Sequence, residues 1–461
     1  MNRQDSVIIP AQEIPVSGAY DVVVCGGGPA GIGAAVGAAR EGARTLLIEA
    51  LSSVGGMATG AFVGAWMDSP GGPVFDELLK RMTDIGAAKN HYDPVRHHKP
   101  GRYTFHCETH KPVALRMVRE AGADVLLCTV AEGAWVDGGR VAGVFIANKG
   151  GRALVKAKTV IDCTADGDIA ASAGAEFMQG DPDDGRIQHV NFHFHIEGVD
   201  AKRYEQEKPS DADLIDLFKK ALADGRLHAP RGVRRPLPDC FPFHEPEGKL
   251  CLHGWWEIEK VDPSDPQAVS DILVECQLIA FEAVQFCREH LPGYENARIG
   301  RFPTLLGTRE SRRIVGRYVL TREDVLAGRK FEDGIAKACF FMDLHDSPPG
   351  VSIPFSVEHI VANRPEYGDW YEIPYRCLVP KDVKGLLVAG RCISCDRPAQ
   401  GSLRVMPTCM FTGEAAGIAG AMAAAEGFLP HEIDGRLVRT LFRNMTPICV
   451  HVSRAKFTLD T

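Results

Sequence analysis

The stretch DVVVCGGGPAGIGAAVGAAREGARTLLIEA, residues 21–50, decides the fold. Four apolar residues lead into three glycines, an alanine-rich helical stretch follows, and a second apolar run ends on Glu49. Period-free apolar strands around such a helix predict a buried parallel βαβ unit, with strands over 21–25 and 44–49 and a helix over 30–40. Gly26, Gly28 and Gly31 form GxGxxG at the strand-to-helix junction, with Pro29 and Ala30 between them. The first glycine permits the tight turn, the second admits a pyrophosphate to the backbone, and the third lets helix and strand pack. The helix N-terminus then offers unpaired N–H groups to phosphate. Glu49, ending the second strand, is placed to accept from ribose hydroxyls. A dinucleotide is expected here, and the motif by itself fits NAD as well as FAD.

Working outward, a helix is expected near 112–121 and a strand in ADVLLCTV, which contains Val130 as its last residue. The turn chemistry at Asp137-Gly138-Gly139 and Asn148-Lys149-Gly150-Gly151 predicts an antiparallel meander. From about Gly180 to Tyr371 the texture changes to Pro, His, Trp and charge, opening on the alternating run HVNFHFHIEG. The α/β texture returns near Lys384 with GLLVAGRC and an apolar small-residue helix. The expected architecture is therefore α/β: a Rossmann-like nucleotide-binding domain with an antiparallel meander and an inserted α+β substrate domain. Its boundaries fall at 1–18 (tail), 19–180 (nucleotide domain, first part), 181–374 (substrate domain), 375–430 (nucleotide domain, second part) and 431–461 (C-terminal helix and tail).

At 461 residues the chain suits two domains or one domain with an insertion. Its 45% hydrophobic and 24% charged residues are those of an ordinary globular protein. The net charge of −8 without a basic run argues against nucleic acid or a membrane surface as partner. No segment has the ~20 consecutive apolar residues of a membrane span, and residues 1–20 do not read as a signal peptide. The 14 cysteines are scattered singly apart from Cys392 and Cys395, which fits reduced thiols and a cytoplasmic location.

Three further stretches separate the two dinucleotides by resemblance. SVGGMATG (53–60), with Gly55, Gly56 and Met57, resembles the second Gly-Gly segment of glutathione-reductase-type FAD folds. TVIDCTADGD (159–168), with Thr164, Ala165 and Asp166, is similar to the strand and turn that lie over the nucleotide in those proteins. GLLVAGRC with Gly390 and Arg391, followed by GSLRVMPTCMFTGEAAGIAG with Met406, Gly413 and Ala416, resembles their C-terminal flavin-contacting strand and helix. With GTRESRRIVGRYVLTREDVL (307–326) and YEIPYR (371–376), nearly the whole chain resembles the FAD-dependent oxidoreductases, distant relatives of fumarate-reductase flavoproteins and the heterodisulfide reductase flavin subunit. The resemblance implies FAD as cofactor, with the residues just named around it. It is specific for cofactor and vague for substrate.

No second GxGxxG exists for a separate NAD(P)H domain, and no CxxxxC dithiol follows Gly55-Gly56. Cys392 and Cys395 form a CxxC that reads as two buried thiols rather than a redox relay. Four cysteines with cluster spacing are missing, so no iron–sulfur site is expected. His91, His97, His98, His106 and His110 have no compact ligand spacing, and HYDPVRHHKPGRY (91–103) reads as a loop, so no metal is expected. Flavin dehydrogenation needs a group that carries the accompanying proton. The candidates are Arg309, His345, Tyr375 and Arg404. Arg309 and Arg313 at i, i+4 predict a shared helical face. Of Trp255 and Trp256, adjacent in a strand, only one can face a pocket. In HVNFHFHI, period-two alternation puts His189, Asn191, His193 and His195 on one face, with Val190, Phe192, Phe194 and Ile196 on the other. His193 and His195 are thus expected in the substrate cavity. The function expected is hydride transfer between a small polar molecule and flavin N5, with an electron donor or acceptor left open. A flavoprotein electron-transfer subunit and a flavin monooxygenase are the alternatives, and a homo-oligomer is allowed.

Overall fold

The computed structural model describes residues 11–67, 69–90, 103–233, 239–244, 250–346, 357–366 and 368–441. Strand β1 (Val16–Cys25) runs into helix α1 (Pro29–Arg40), which returns to β2 (Thr45–Ile48). Val22, Val23 and Val24 have no exposed surface, and all of β2 is buried. That is why neither strand shows a polar alternation. Helix α1 places Pro29 in its first turn, where a missing N–H breaks no helical bond.

β3 (Asp124–Leu126), β4 (Val130–Asp137), β5 (Arg140–Asn148) and β6 (Gly151–Asp162) complete most of this sheet, in the order β3-β2-β1-β6-β5-β4. β3, β2, β1 and β6 are parallel, with Val24 between Leu47 and Ile161, whereas β4, β5 and β6 form the expected antiparallel meander. The helix expected from Pro112 begins earlier, at Cys107, because the His106 ring accepts from Thr109 N–H at 3.3 Å and caps it.

A second sheet follows: β7 (Val190–Glu197), β8 (Asp239–His244), β9 (Leu250–Ile258) and β10 (Arg298–Arg301), ordered β8-β9-β7-β10 and antiparallel throughout. Helix α2 (Pro266–His290) packs on one face of it. Val190, Phe192, Phe194 and Ile196 point into this second core, where Phe192 and Phe194 meet the ring of Trp256. The side chain of Trp255 lies outside the described residues.

This core ends at Leu306, and the chain then returns to the first one. Ile314, Ile335, Tyr371 and Ile373 all pack with the nucleotide-binding core, although the sequence reading assigned 181–374 to the substrate domain. Arg309 and Arg313 share no helical face, since Arg312–Ile314 is a strand paired with Phe177–Gln179. β11 (Leu386–Val388) joins β6 in parallel, Leu387 beside Ile161. Helix α3 (Met406–Glu426) then packs along α1. Small residues permit the contact: a Cβ on Gly413 would stand 2.0 Å from Ala30 O, and one on Gly33 2.2 Å from Met410 O. Among the described residues no helix is long and apolar enough to cross a membrane.

Candidate active site

A cavity of about 1480 Å³ opens where the C-terminal ends of β1, β2 and β6 face the second sheet. Its nucleotide wall begins at Gly26, whose φ of +100° turns the chain sharply out of β1. A Cβ there would lie 2.4 Å from Cys163 O, so only glycine fits. Gly28 is the N-cap of α1 and brings no side-chain cap, leaving the first N–H groups directed at the cavity. The only atom a Cβ on Gly28 would meet is Gly56 Cα at 3.8 Å, so two bare backbones face each other across this wall.

Glu49 is held rigidly: its Oε2 accepts from Gly27 N–H at 2.6 Å and its Oε1 from Leu51 N–H at 2.8 Å. Burial pushes its carboxyl up from the ordinary value, against those backbone donors. Its remaining lone pairs are available to ribose hydroxyls. Opposite, α3 starts at an N-cap, Val405, without a side-chain cap, and Val405, Met406 and Cys409 line the cavity. Arg391 lines it too, but its guanidinium is committed to Thr308 O at 2.6 Å and Asp166 Oδ1 at 2.5 Å.

Two open helix ends, paired glycine backbones and one buried carboxylate make a donor set that fits a dinucleotide of the size of FAD. Of the residues expected at the cofactor, Gly26, Gly28, Pro29, Ala30, Glu49, Gly56, Met57, Val130, Thr164, Ala165, Asp166, Gly390, Arg391 and Met406 line the cavity. Gly31, Gly55, Gly413 and Ala416 are not part of its lining. Gly31 and Gly413 instead let backbones touch, a Cβ on Gly31 falling 1.7 Å from Gly26 O. Replacing Glu49 with Ala is expected to loosen FAD about ten- to a hundred-fold, the worth of a charged hydrogen bond of ~1.5–3 kcal/mol. Equilibrium dialysis of the flavin checks this, and an affinity equal to that of the unaltered protein would remove Glu49 from the ribose.

The other wall comes from the second sheet. His193 lines the cavity and its Nδ1 lies 3.3 Å from Phe62 O. His195, expected beside it, is not in the lining, because its ring stacks on Phe62 at 4.3 Å between centroids. Tyr375 is also absent from the lining: it is buried and donates to Pro430 O at 2.7 Å. Arg309, His345 and Arg404 do reach the cavity.

Two carboxylates that the sequence reading missed bring these three together. Glu257 Oε1 lies 2.7 Å from His345 Nδ1 and 3.7 Å from the Arg309 guanidinium. Asp343 Oδ1 lies 3.2 Å from His345 Nε2, and Asp343 O accepts from Arg404 at 2.9 Å. The Asp343 contact is close but not aligned as a hydrogen bond, so it is an electrostatic one. Burial raises both carboxyls, yet the facing His and Arg groups outweigh it and hold both well below the usual carboxylate range. Burial pulls Arg404 down, against the charge of Asp343. Arg309 also donates to His189 O at 2.6 Å and Asn191 Oδ1 at 2.5 Å. The pairing of Asn191 with Glu257 across β7 and β9 puts that carboxylate on the histidine face.

Cys392 and Cys395 are fully buried, outside the cavity lining, and burial pushes both thiols up. His91, His97 and His98 lie outside the described residues. His110 is buried against Trp66 and Phe105. Among the described residues no group of three His, Cys, Asp or Glu side chains could hold a metal ion.

Fold and cavity together define a nucleotide-binding flavoprotein. The chain belongs to the FAD-dependent oxidoreductase family, whose pattern it matches over residues 21–442, and its cofactor is FAD. Among solved structures it is similar to a geranylgeranyl bacteriochlorophyll reductase-like protein from Thermoplasma acidophilum (15% identity, 92% of this chain and 82% of that one, TM-score 0.42). It is also similar to p-nitrophenol 4-monooxygenase from Pseudomonas putida (13% identity, 93% and 87%, TM-score 0.45). A third is the flavin-dependent brominase Bmp2 (14% identity, 92% and 83%, TM-score 0.43). No curated protein matches the chain in sequence.

Proposed function

We propose that this oxidoreductase moves a hydride between a small polar organic substrate and FAD, with His345 carrying the accompanying proton. The observation behind this reading is the cluster of His345, Asp343, Arg404 and Arg309 on the cavity wall that faces the dinucleotide cradle, with Glu257 behind His345. Bound FAD supplies the hydride donor or acceptor.

The chain's own residues supply the rest. A neutral imidazole donates from one nitrogen only, whereas His345 meets a carboxylate oxygen at each. Glu257 orients the ring through Nδ1, and Nε2, with its unaligned contact to Asp343, is the atom that exchanges a proton with substrate. Arg309 is tied to the Asn191 side chain and to His189 O just before β7, so it fixes Glu257. Arg404 and His193 are left to orient the polar groups of the substrate.

The test is anaerobic mixing of the FAD-loaded protein with a panel of small polar metabolites. Bleaching of the flavin absorbance by one of them, without reduced nicotinamide, is the expected result. Flavin reduction only by NAD(P)H followed by oxygen incorporation would replace this reading with a monooxygenase. Reduction only through a protein partner would replace it with an electron-transfer subunit.

A further inference from the structure

Helix α2 has two apolar faces, and among the described residues the fold buries only one. Ile272, Cys276, Ile279, Ala283 and Cys287 are buried in the second core. Val274, Leu278 and Phe281, on the other face, are 56%, 64% and 57% exposed. A stripe of large apolar side chains along one helix face is a contact surface rather than scattered surface residues. The stripe continues at both ends: Asp271, Val274, Leu278, Phe281, Gln285 and Arg288 follow at alternating steps of three and four, the spacing of a helix-pairing seam.

We propose that this seam pairs with the same helix of a second copy of the chain, antiparallel about a two-fold axis between Leu278 and Phe281. The sequence of the seam is self-complementary in that register alone. Leu278 meets the partner's Phe281, Val274 meets the partner's Gln285, and Asp271 meets the partner's Arg288. Two-fold symmetry makes each pair twice. A parallel arrangement would set Asp271 against its own copy and Arg288 against its own, which like charge opposes.

The flanking carboxylates do not obstruct this. Glu275 is paired with Arg231 at 3.0 Å and Glu282 with His228 at 2.8 Å, both within the chain. The same acidic flank, with Glu289 exposed beside it, disfavours an anionic lipid surface as the occupant. Asp271, half of the end pair, is held toward Arg231 at 3.6 Å and remains exposed.

Sedimentation equilibrium of the full-length, FAD-loaded protein tests the proposal. The expected result is a species of twice 50.1 kDa, converted to 50.1 kDa by Leu278→Glu at the same concentration, with flavin absorbance and circular dichroism unchanged. Asp271→Arg and Arg288→Asp should each raise the dissociation constant about ten-fold, and the two together should restore it. A wild-type monomer at every accessible concentration overturns the proposal. So does a dimer indifferent to Leu278→Glu, which places the interface elsewhere.

Discussion

Replacing His345 with Gln is expected to lower kcat by about 10²–10⁴-fold while leaving the FAD content unchanged. That is the usual worth of a positioned acid–base group. Glutamine can still donate to Glu257, which lies 2.7 Å from Nδ1 in the native ring, but its amide exchanges no proton with substrate. His345 is absent from the glycine cradle and from the Glu49 bonds, so the cofactor keeps its ligands. The loss should appear in kcat rather than KM, because substrate orientation stays with Arg404 and His193. Glu257→Gln should lower kcat in the same direction by less, since it leaves the imidazole in place but weakens the 2.7 Å contact that orients it. Steady-state kinetics on flavin-loaded variants decide the matter. A kcat for the His345 variant equal to that of the unaltered enzyme would move the proton to another group.

The largest stability loss is expected from Glu310→Ala. Glu310 has no exposed surface and accepts from Arg313 at 2.6 Å, from Arg397 at 3.0 Å and from Gln188 N–H at 3.1 Å. Arg313 and Arg397 are themselves 2% and 4% exposed. Removing the carboxylate leaves two guanidinium groups facing each other away from water, although Arg397 keeps Asp346 at 2.6 Å and Asp181 at 3.1 Å. Breaking one side of a buried ion pair costs about 3–5 kcal/mol. For a chain of this size that corresponds to a fall in thermal midpoint of about 3–5 °C. A scanning calorimetry midpoint unmoved by the substitution would show that water enters and solvates the arginines.

The same two clusters mark where sequence reading stopped. Gly26, Gly28 and Glu49 were legible because their chemistry is local: a strand end, a tight turn and a helix start within thirty residues impose glycine and one acid. The two faces of β7 were legible for the same reason, since alternation along a strand needs no partner. Arg309 and Arg313 were misread as a helical pair because i, i+4 spacing is also compatible with an extended segment. What sets them apart is that Arg313 is pulled inward by Glu310 while Arg309 turns to Asn191. Tyr375 looked like a proton carrier by residue type, and its hydroxyl is instead spent on Pro430 O.

By itself the sequence determined the α/β class, the dinucleotide turn at the end of β1, the meander, and the apolar and histidine faces of β7. Each of these follows from residues close together in the chain, where turn geometry and side-chain period act directly. Only the tertiary structure decided that Glu257 and Asp343 enclose His345, that His195 is taken by Phe62, and that Ile314, Ile335, Tyr371 and Ile373 join the nucleotide-binding core. Those outcomes depend on strand register and on which buried charges meet across the fold. Glu257 reaches His345 because β9 pairs with β7 in one particular register. A shift of one residue would turn that carboxylate to the opposite face, and no local pattern in WWEIE records which alternative the sheet adopts.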